Sequence, residues 1–205
     1  MQALTQRASS PHLFTVHSKS HNRGCRRVHA SAGAAQDMQP KLKTLKAVPI
    51  TPENFKPFGQ LIGPIDDMKP YDQEDAQLQG FDAGTPRFYI MRLPERGLKF
   101  DRITYHGKVT QCLGLLSPIG HWYMVVAAPT HNVEAFPKEQ DLMAFKIPHG
   151  VFVKMHKATW HAGPLFTSTP HMDFYNLELS DTNVVDHNTH DFRKTQGIEL
   201  EVSDV

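Results

Sequence analysis

The sequence predicts a single all-β domain folded as a barrel or a sandwich. After residue 86 the chain consists of short segments rich in β-branched and aromatic residues. Pro and Gly turns separate these segments at intervals of roughly 8–20 residues. No amphipathic pattern longer than two helical turns occurs after residue 60. Many short strands joined by such turns are typical of β-sandwiches and β-barrels.

The first structured segments begin near Leu42. Residues 42–50 alternate loosely between apolar and polar side chains, and Thr51, followed by Pro52, predicts a short capped turn. Residues 60–64 predict a short strand that ends at Gly and Pro. Residues 66–86 are rich in Asp, Gln, Gly and Pro, and predict a long surface loop of the kind that forms lids and rims.

The remaining strands follow in chain order. They are RFYIMRL (87–93), FDRITYH (100–106), VTQCLGLL (109–116), WYMVVAAP (122–129), LMAFKI (142–147), GVFVKMH (150–156) and HMDFYNLEL (171–179). One helical turn is predicted within 138–145. After His156 the chain is expected to turn, with Gly163 and Pro164 as strand breakers.

Residues 1–36 differ from the rest of the chain. They contain no Asp or Glu, but five Lys or Arg and five Ser. They lack the apolar stretch of about 7–15 residues that marks a secretory signal. We therefore predict a disordered organelle transit peptide over 1–36, chloroplast ahead of mitochondrion, followed by one domain over 42–205. A disordered basic arm for nucleic acid is the alternative.

Charge and cysteine content limit the partners and the compartment that the domain can have. Removing the five basic residues of the N-terminal segment from 22 leaves 17 against 21 acidic ones. We expect a small-molecule substrate, and no nucleic-acid partner because acidic residues outnumber basic ones. No membrane partner is expected, because no apolar segment reaches transmembrane length. Cys112 is the single cysteine after residue 36, so no intramolecular disulfide is possible there and a reducing compartment is expected.

The stretch VFVKMHKATWHAGPLF, residues 151–166, suggests acid–base chemistry. Alternation along a strand places Lys154 and His156 on the face opposite Val153 and Met155. Lys154 and His156 would then point into a barrel mouth or out to water. His161 can return to the same cavity after the turn. Upstream, His106 and Gln111 end and begin adjacent strands across a tight turn.

Three motifs together resemble the ureidoglycolate lyase family, a branch of the cupin β-barrels. They are YHGKVTQCLG, HKATWHAGPLF and HMDFYNLELS, and the resemblance covers roughly Leu42 to the C-terminus. The tail LSDTNVVDHNTHDF is similar to the plant and algal branch. The resemblance implies a cupin-type jelly-roll barrel with short peripheral helical turns. It also implies a homodimer that releases urea and glyoxylate from ureidoglycolate in allantoin and purine catabolism.

Compared with metal-binding cupins, the sequence lacks two common ligands. Thr104 stands where a first-motif His would be, and Gln111 stands where a Glu would be. His106 and His161 match the remaining positions. Two imidazoles and a neutral amide make a weak divalent site, so no metal and no other cofactor is expected. His156 would raise the imidazole count to three, which keeps a metal open.

The reaction implied by the resemblance needs proton transfer and carboxylate recognition. His156 and His161 are the predicted acid–base pair, with the two roles left open, and His106 is the third catalytic candidate. The predicted substrate-binding residues are Arg87, Gln111, Lys154, Trp160 and Asp173. Arg87 is preferred over Arg92 for the carboxylate because the resemblance implies an Arg at that position, and the two lie on opposite faces of one strand. Trp160 is expected mainly to form a packing wall. His187 and His190 lie in a polar tail and are expected at the surface or in dimer contacts.

Two other functions stay open at this stage. One is a metal-dependent cupin oxygenase or isomerase acting on another small acid, with His106, Gln111, His156 and His161 around the metal. The other is a non-catalytic cupin that binds a small acid or a partner. Fold does not decide among these functions, because one barrel fold hosts many activities.

Overall fold

The computed structural model describes residues 39–118, 120–130 and 135–204, and its described part consists mainly of strands. The predicted transit peptide, 1–36, lies outside the described residues. The strands are β1 (Lys41–Pro49), β2 (Gly59–Ile62), β3 (Pro86–Pro94), β4 (Lys99–Phe100), β5 (Arg102–Tyr105), β6 (Gln111–Leu115), β7 (His121–Ala127), β8 (Met143–Pro148), β9 (Phe152–Met155), β10 (Trp160–Leu165), β11 (His171–Leu179), β12 (Asn188–Asp191) and β13 (Ile198–Ser203). The helices are α1 (Pro52–Phe55), α2 (Thr182–Val185) and α3 (Phe192–Gln196), with 3₁₀ turns at Phe81–Ala83 and Glu139–Asp141.

The strands form two curled sheets that pack face to face. The larger sheet has the order β12-β5-β10-β7-β8-β1-β13-β4, and the smaller has the order β2-β9-β6-β11-β3. The pairings are antiparallel except those of β1, which runs parallel to both β13 and β8. This arrangement confirms the predicted all-β class, a jelly-roll type of barrel with short peripheral helices. No helix among the described residues is long and apolar enough to cross a membrane.

Strand β7 explains how the two cores are divided. Trp122, Met124 and Val126 belong to a core between the sheets, whereas Tyr123 and Val125 belong to a second core on the other side of the larger sheet. Successive strand residues point to opposite faces, so a strand buried on both sides supplies both cores. The second core is completed by residues of α3 and β13, which are Phe192, Ile198, Leu200 and Val202.

The predicted cap at Thr51 is present. Its hydroxyl accepts a hydrogen bond from the Asn54 backbone N–H at 3.2 Å, and the Asn54 side chain accepts one from the Thr51 N–H at 2.8 Å. These two bonds form a capping box that satisfies amides at the start of α1. The predicted loop after β2 is held against the barrel by Gln60, whose carboxamide hydrogen-bonds the backbone of residues 73, 75 and 77.

The turn predicted through residues 157–164 is wrong in its second half. The chain turns at His156–Thr159, where the Ala158 N–H donates to the His106 carbonyl at 2.7 Å. It then forms β10, and the Gly163–Pro164 pair is an irregularity within that strand. Gly163 has φ +123°, and a Cβ there would lie 2.9 Å from the Tyr123 carbonyl oxygen. A breaker dipeptide therefore reshapes the strand without ending it.

The polar tail is also more integrated than expected. β12 pairs with β5, and β13 pairs with β1. His190, predicted at the surface or in dimer contacts, is buried, stacked 4.5 Å from Phe136 and edge-on to Phe192 at 4.9 Å. Phe136 is distant in the sequence, so the polar residues around His190 gave no sign of this contact.

Candidate active site

Two histidines meet at the inner side of the larger sheet. His106 follows directly after β5, and His161 lies on β10, paired with Thr104 of β5 and Val126 of β7. The strand neighbours of His161, Trp160 and Ala162, belong to the second core, so alternation directs His161 to the interior between the sheets. The two rings are 5.2 Å apart between centroids, and both residues are buried.

The hydrogen bonds of both rings determine which nitrogen is available. His106 Nδ1–H donates to the Asp186 carbonyl at 2.6 Å, and His161 Nδ1–H donates to the Thr159 carbonyl at 3.2 Å. A backbone carbonyl can only accept, so the proton of each neutral ring is assigned to Nδ1. Each Nε2 then carries a lone pair. The pair therefore offers two acceptors for substrate protons.

Burial keeps both imidazoles neutral. It lowers the pKa of His161 to about 3, with a smaller contribution from the neighbouring His106. Burial also lowers the pKa of His106, but here the Asp186 carbonyl and the charges of Asp186 and Glu178 oppose the effect. Of the two, His106 is therefore the residue that can accept a proton and hold it.

A second polar group comes from the smaller sheet. Glu178 is buried, and its carboxylate accepts hydrogen bonds from Gln111 Nε2 at 3.0 Å and from the Tyr89 hydroxyl at 3.1 Å. Asn176 donates to the Tyr89 oxygen at 3.0 Å and accepts from Gln111 Nε2 at 3.2 Å. Burial raises the pKa of Tyr89, so its hydroxyl remains a donor. The network fixes a carboxylate whose negative charge acts on His106 and opposes the lowering of its pKa by burial.

Gln111, a predicted substrate-binding residue, is buried and has one unsatisfied atom. Its Nε2 is engaged by Asn176 and Glu178, but within the described residues its buried Oε1 has no hydrogen-bond partner. A buried acceptor without a partner is unfavourable by about 1–3 kcal/mol. A ligand N–H or O–H group placed beside it would remove that cost.

Asp186 holds the turn that presents His106. Besides its carbonyl bond to Nδ1, its carboxylate accepts from the backbone N–H of Gly107 at 2.9 Å and of Lys108 at 2.8 Å. One residue thus fixes both the ring of His106 and the backbone that follows it. Such a partner sets the orientation and the tautomer of a catalytic imidazole.

His156 and Lys154 do not join this cluster. Lys154 is 2% exposed and lies on the outer face of the smaller sheet, because its neighbours Val153 and Met155 point into the core between the sheets. Lys154 Nζ donates to His156 Nδ1 at 3.2 Å, and His156 Nε2–H donates to the Lys56 carbonyl at 3.3 Å. Burial lowers the pKa of both groups. The structure does not bring His156 and His161 together as an acid–base pair, nor does it place Lys154 in the barrel mouth.

Two other predicted substrate contacts lie elsewhere. The Trp160 ring packs edge-on against Tyr105 at 4.5 Å, and its indole N–H donates to the Thr130 hydroxyl at 2.8 Å. It belongs to the second core, as expected for a packing wall. Asp173 forms a bidentate surface ion pair with Arg92, at 2.8 Å to each oxygen, on the face opposite Phe174. Trp160 faces the side of the larger sheet opposite His161, and Asp173 lies on the outer face of the smaller sheet.

Arg87 and Arg92 lie on opposite faces of β3, as the alternation of a strand requires. Arg87 pairs in register with Glu178 of β11, and its guanidinium lies 3.7 Å from the centre of the Tyr89 ring. Arg87 is exposed and therefore stands at the edge of the polar network. Its predicted role as the carboxylate ligand stays a prediction.

Sequence reasoning missed three residues of the cluster. His187, expected at the surface or in dimer contacts, is exposed but has its ring 5.7 Å from that of His106. Asp186 fixes His106, and Glu178 anchors the network. A signal for Glu178 was present, because Met172, Phe174, Asn176 and Glu178 alternate along β11 on one face. A polar pair that continues a buried apolar stripe indicates a polar pocket at the end of a core.

The described residues do not bring together a metal-binding group. Among them, no set of three or more His, Cys, Asp or Glu side chains is placed to hold an ion. His106 and His161 present their Nε2 atoms, but the third nearby donor is the amide of Gln111 or an already anchored Glu178. This donor set fits a divalent metal poorly, and no step below depends on one.

Comparison with known proteins adds little to this geometry. No family model matches the chain, and no curated protein matches it. A solved oxalate decarboxylase from Lactobacillus farciminis, a formate complex, is similar with a TM-score of 0.34 and 14% sequence identity. The match covers 62% of this chain and 34% of that one, so this chain spans only about a third of that protein's length.

Proposed function

We propose that this chain is a carbon–nitrogen lyase that cleaves ureidoglycolate to glyoxylate and urea. The observation that carries the proposal is the buried pair His106 and His161, with both Nδ1 atoms donating to backbone carbonyls and with no hydrogen bond to either Nε2 atom from the described residues. The motif resemblance names the substrate. The buried imidazoles support proton transfer without a redox step, which is the chemistry that a carbinolamide requires.

The reaction can be written with one base that later becomes the acid. His106 Nε2 takes the proton of the substrate hydroxyl as the carbon–oxygen bond becomes a carbonyl and the carbon–nitrogen electrons move to the ureido nitrogen. The imidazolium formed is stabilised by the Asp186 carbonyl and the Glu178 charge, the same groups that oppose the lowering of its pKa. It then protonates the departing nitrogen to give urea. Atoms and electrons balance without a co-reactant.

His161 and Gln111 are assigned to binding. With a pKa of about 3, His161 stays neutral and its Nε2 accepts a hydrogen bond from a substrate N–H or O–H group. The partnerless Oε1 of Gln111 is a second acceptor. A ureido group carries three N–H donors, and a site with two fixed acceptors suits such a donor-rich ligand. The single O–H of Tyr89 is donated to Glu178, so Tyr89 holds that carboxylate in place.

The direct test is an assay of the full-length chain with racemic ureidoglycolate, following glyoxylate and urea in equal amounts. We expect stereoselective cleavage that persists after dialysis against a chelator. Release of ammonia in place of urea, or no glyoxylate at all, would contradict the lyase assignment.

A metal-dependent enzyme is the second candidate. The observation in its favour is that histidines which bind metals commonly donate their second ring nitrogen to a carbonyl or carboxylate, as His106 and His161 do here. Loss of activity on chelation, restored by one divalent metal in stoichiometric amount, would favour this candidate over the first.

The pH profile gives a separate prediction. The base form of His106 is the neutral form, and burial places its pKa below the usual 6.5. Activity is therefore expected to be constant around neutrality and to fall only as the pH drops below 6.5 through the lowered pKa. The measurement is kcat/KM between pH 4.5 and 9. An acid limb centred above 6.5 would show that a different group, or a protonated imidazole, carries the reaction.

The homodimer and the chloroplast location implied by the sequence remain proposals. Light scattering of the purified chain tests the first. Fractionation of cells that express the full chain fused to a fluorescent protein tests the second.

A further inference from the structure

A cavity beside His161 has a basic rim. It has a volume of about 290 Å³ and lies where β4, β5 and β10 approach one another. Its polar lining consists of Arg96, Lys99, Asp101, Arg102, Thr104, His161 and His187, so that it holds one carboxylate beside three cations. The cavity thus connects one member of the buried histidine pair with the solvent.

The cations on this rim differ in their partners. Nε of Arg102 lies 3.4 Å from a carboxylate oxygen of Asp191 and 3.8 Å from one of Asp101, so two carboxylates already offset its charge. Oδ2 of Asp101 is also 3.2 Å from Nε of Arg193, a residue that does not line the cavity. Within the part of the chain that the structure describes, no ion pair involves Arg96 or Lys99. The rim therefore carries more positive than negative charge next to His161, even though Glu201 lies opposite Lys99 in the pairing of β4 with β13.

The proposed site needs a cation for the substrate carboxylate, and the positive charge of the rim lies where it could supply one. His106, His161 and Gln111 offer acceptors, and none of them is a cation. A substrate carboxylate needs one, and a guanidinium can bind it through two parallel hydrogen bonds. Arg87, the cation expected from the sequence, instead has its guanidinium over the ring of Tyr89.

We propose that Arg96 and Lys99 form the carboxylate subsite of this cavity. The site accepts small 2-hydroxy acids whose carboxylate rests on the rim while the hydroxyl-bearing carbon reaches the histidine pair. Uncharged amides and esters of the same acids are excluded. This inference rests on the proposed function for the identity of the acid, but the cationic subsite itself does not depend on turnover.

Two binding measurements test the subsite without catalysis. The probe is hydroxymalonate, a 2-hydroxy acid that lacks the ureido group, titrated into the full-length chain by calorimetry at low and moderate salt. Binding to the unmodified chain is expected, and the combined variant Arg96→Gln, Lys99→Gln is expected to weaken it by about 10-fold or more, since a hydrogen bond to a charged group contributes roughly 1.5–3 kcal/mol. Higher salt should weaken binding to the unmodified chain more than to the variant, because exposed charges are screened.

The matched control is the double variant Lys41→Gln, Lys46→Gln, which also removes two exposed positive charges, from residues that do not line the cavity. It should leave the affinity for hydroxymalonate within about threefold of the unmodified chain. Equal affinity in the Arg96 and Lys99 variant, no binding by the unmodified chain, or an equal loss in the control variant would each overturn the subsite.

Kinetics with ureidoglycolate separates this inference from the proposed reaction. If the chain cleaves the substrate, the combined variant should raise KM by about 10-fold and leave kcat within threefold. If the chain binds hydroxymalonate through the rim and yet shows no cleavage, the subsite stands and the lyase assignment fails.

Discussion

Replacing His106 with Asn is expected to lower kcat by roughly 10²-fold or more while leaving the protein folded. The Asn side chain is short enough for the pocket and can still donate to the Asp186 carbonyl that now receives Nδ1–H. It removes the Nε2 lone pair, which is the atom proposed to carry the proton. Turnover, melting temperature and circular dichroism should be measured on the same preparation.

His156→Asn is the matched control for that experiment. His156 has the same chemistry but lies on the outer face of the smaller sheet, bonded to Lys154 and the Lys56 carbonyl. Its replacement should leave kcat close to normal. The opposite pattern, normal turnover in the His106 variant and a large loss in the His156 variant, would restore the acid–base pair that the sequence suggested and would refute the assignment made from the structure.

His161 gives a different signature from His106. Its folded-state pKa is about 3 against 6.5 for a free imidazole, so the unfolded chain binds a proton between these values and the folded chain does not. The stability of the fold is therefore full above pH 6.5 and is lost progressively as the pH falls toward 3, by at most about 1.4 kcal/mol per pH unit from this residue. The free energy of unfolding, measured in urea at several pH values across this range, should change less steeply with pH in His161→Asn than in the unmodified chain. An equal slope in both would mean that His161 is not held neutral by burial.

Local pattern was sufficient for most of the fold. The seven segments predicted as strands between 87 and 179 all contain strands of the structure, because β-branched and aromatic runs between Gly and Pro turns have few other ways to pack. Strand β10 was missed because a Gly–Pro pair usually ends a strand. Here pairing on both sides, with β5 and β7, keeps the strand in the sheet. β12 and β13 were missed because their partners are distant in the sequence, and short polar segments carry little signal of their own.

The site was predictable in part, and its main error has a specific cause. Alternation correctly separated Lys154 from Val153 and Met155, but the cavity was expected on the face away from the apolar residues. In this barrel the core and the polar cluster share one interior, with Val153 and Leu113 in the core and Gln111 and Glu178 further along the same inner face. Strand parity reports which residues share a face, not which face is the inside. His106 and Gln111 were found because they flank a tight turn. Asp186 and His187 come close to them only through the pairing of β12 with β5.

Truncating Trp160 to Ala is expected to destabilise the fold by about 3–5 kcal/mol, the usual cost of removing a large buried aromatic side chain. Trp160 is buried between Tyr105 and the second core, and its indole N–H donates to Thr130 at 2.8 Å. For a chain of this size each kcal/mol lowers the melting temperature by about 2–4 °C, so a drop on the order of 10 °C or more should be seen.

The control is Trp160→Phe, which keeps an aromatic ring but loses the hydrogen bond to Thr130 and part of the buried indole, so that it should cost about 1–3 kcal/mol, less than truncation to Ala. Below their melting temperatures, both variants should retain normal KM for ureidoglycolate, because Trp160 and His161 are consecutive residues of a strand and face opposite sides of the sheet. A raised KM with an unchanged melting temperature would instead make Trp160 a wall of the substrate site, as the sequence alone allowed, and would require the β10 register to be shifted by one residue. Since such a shift would also turn His161 away from His106, the Trp160 variants test the placement of the histidine pair by a measurement that does not depend on proton transfer.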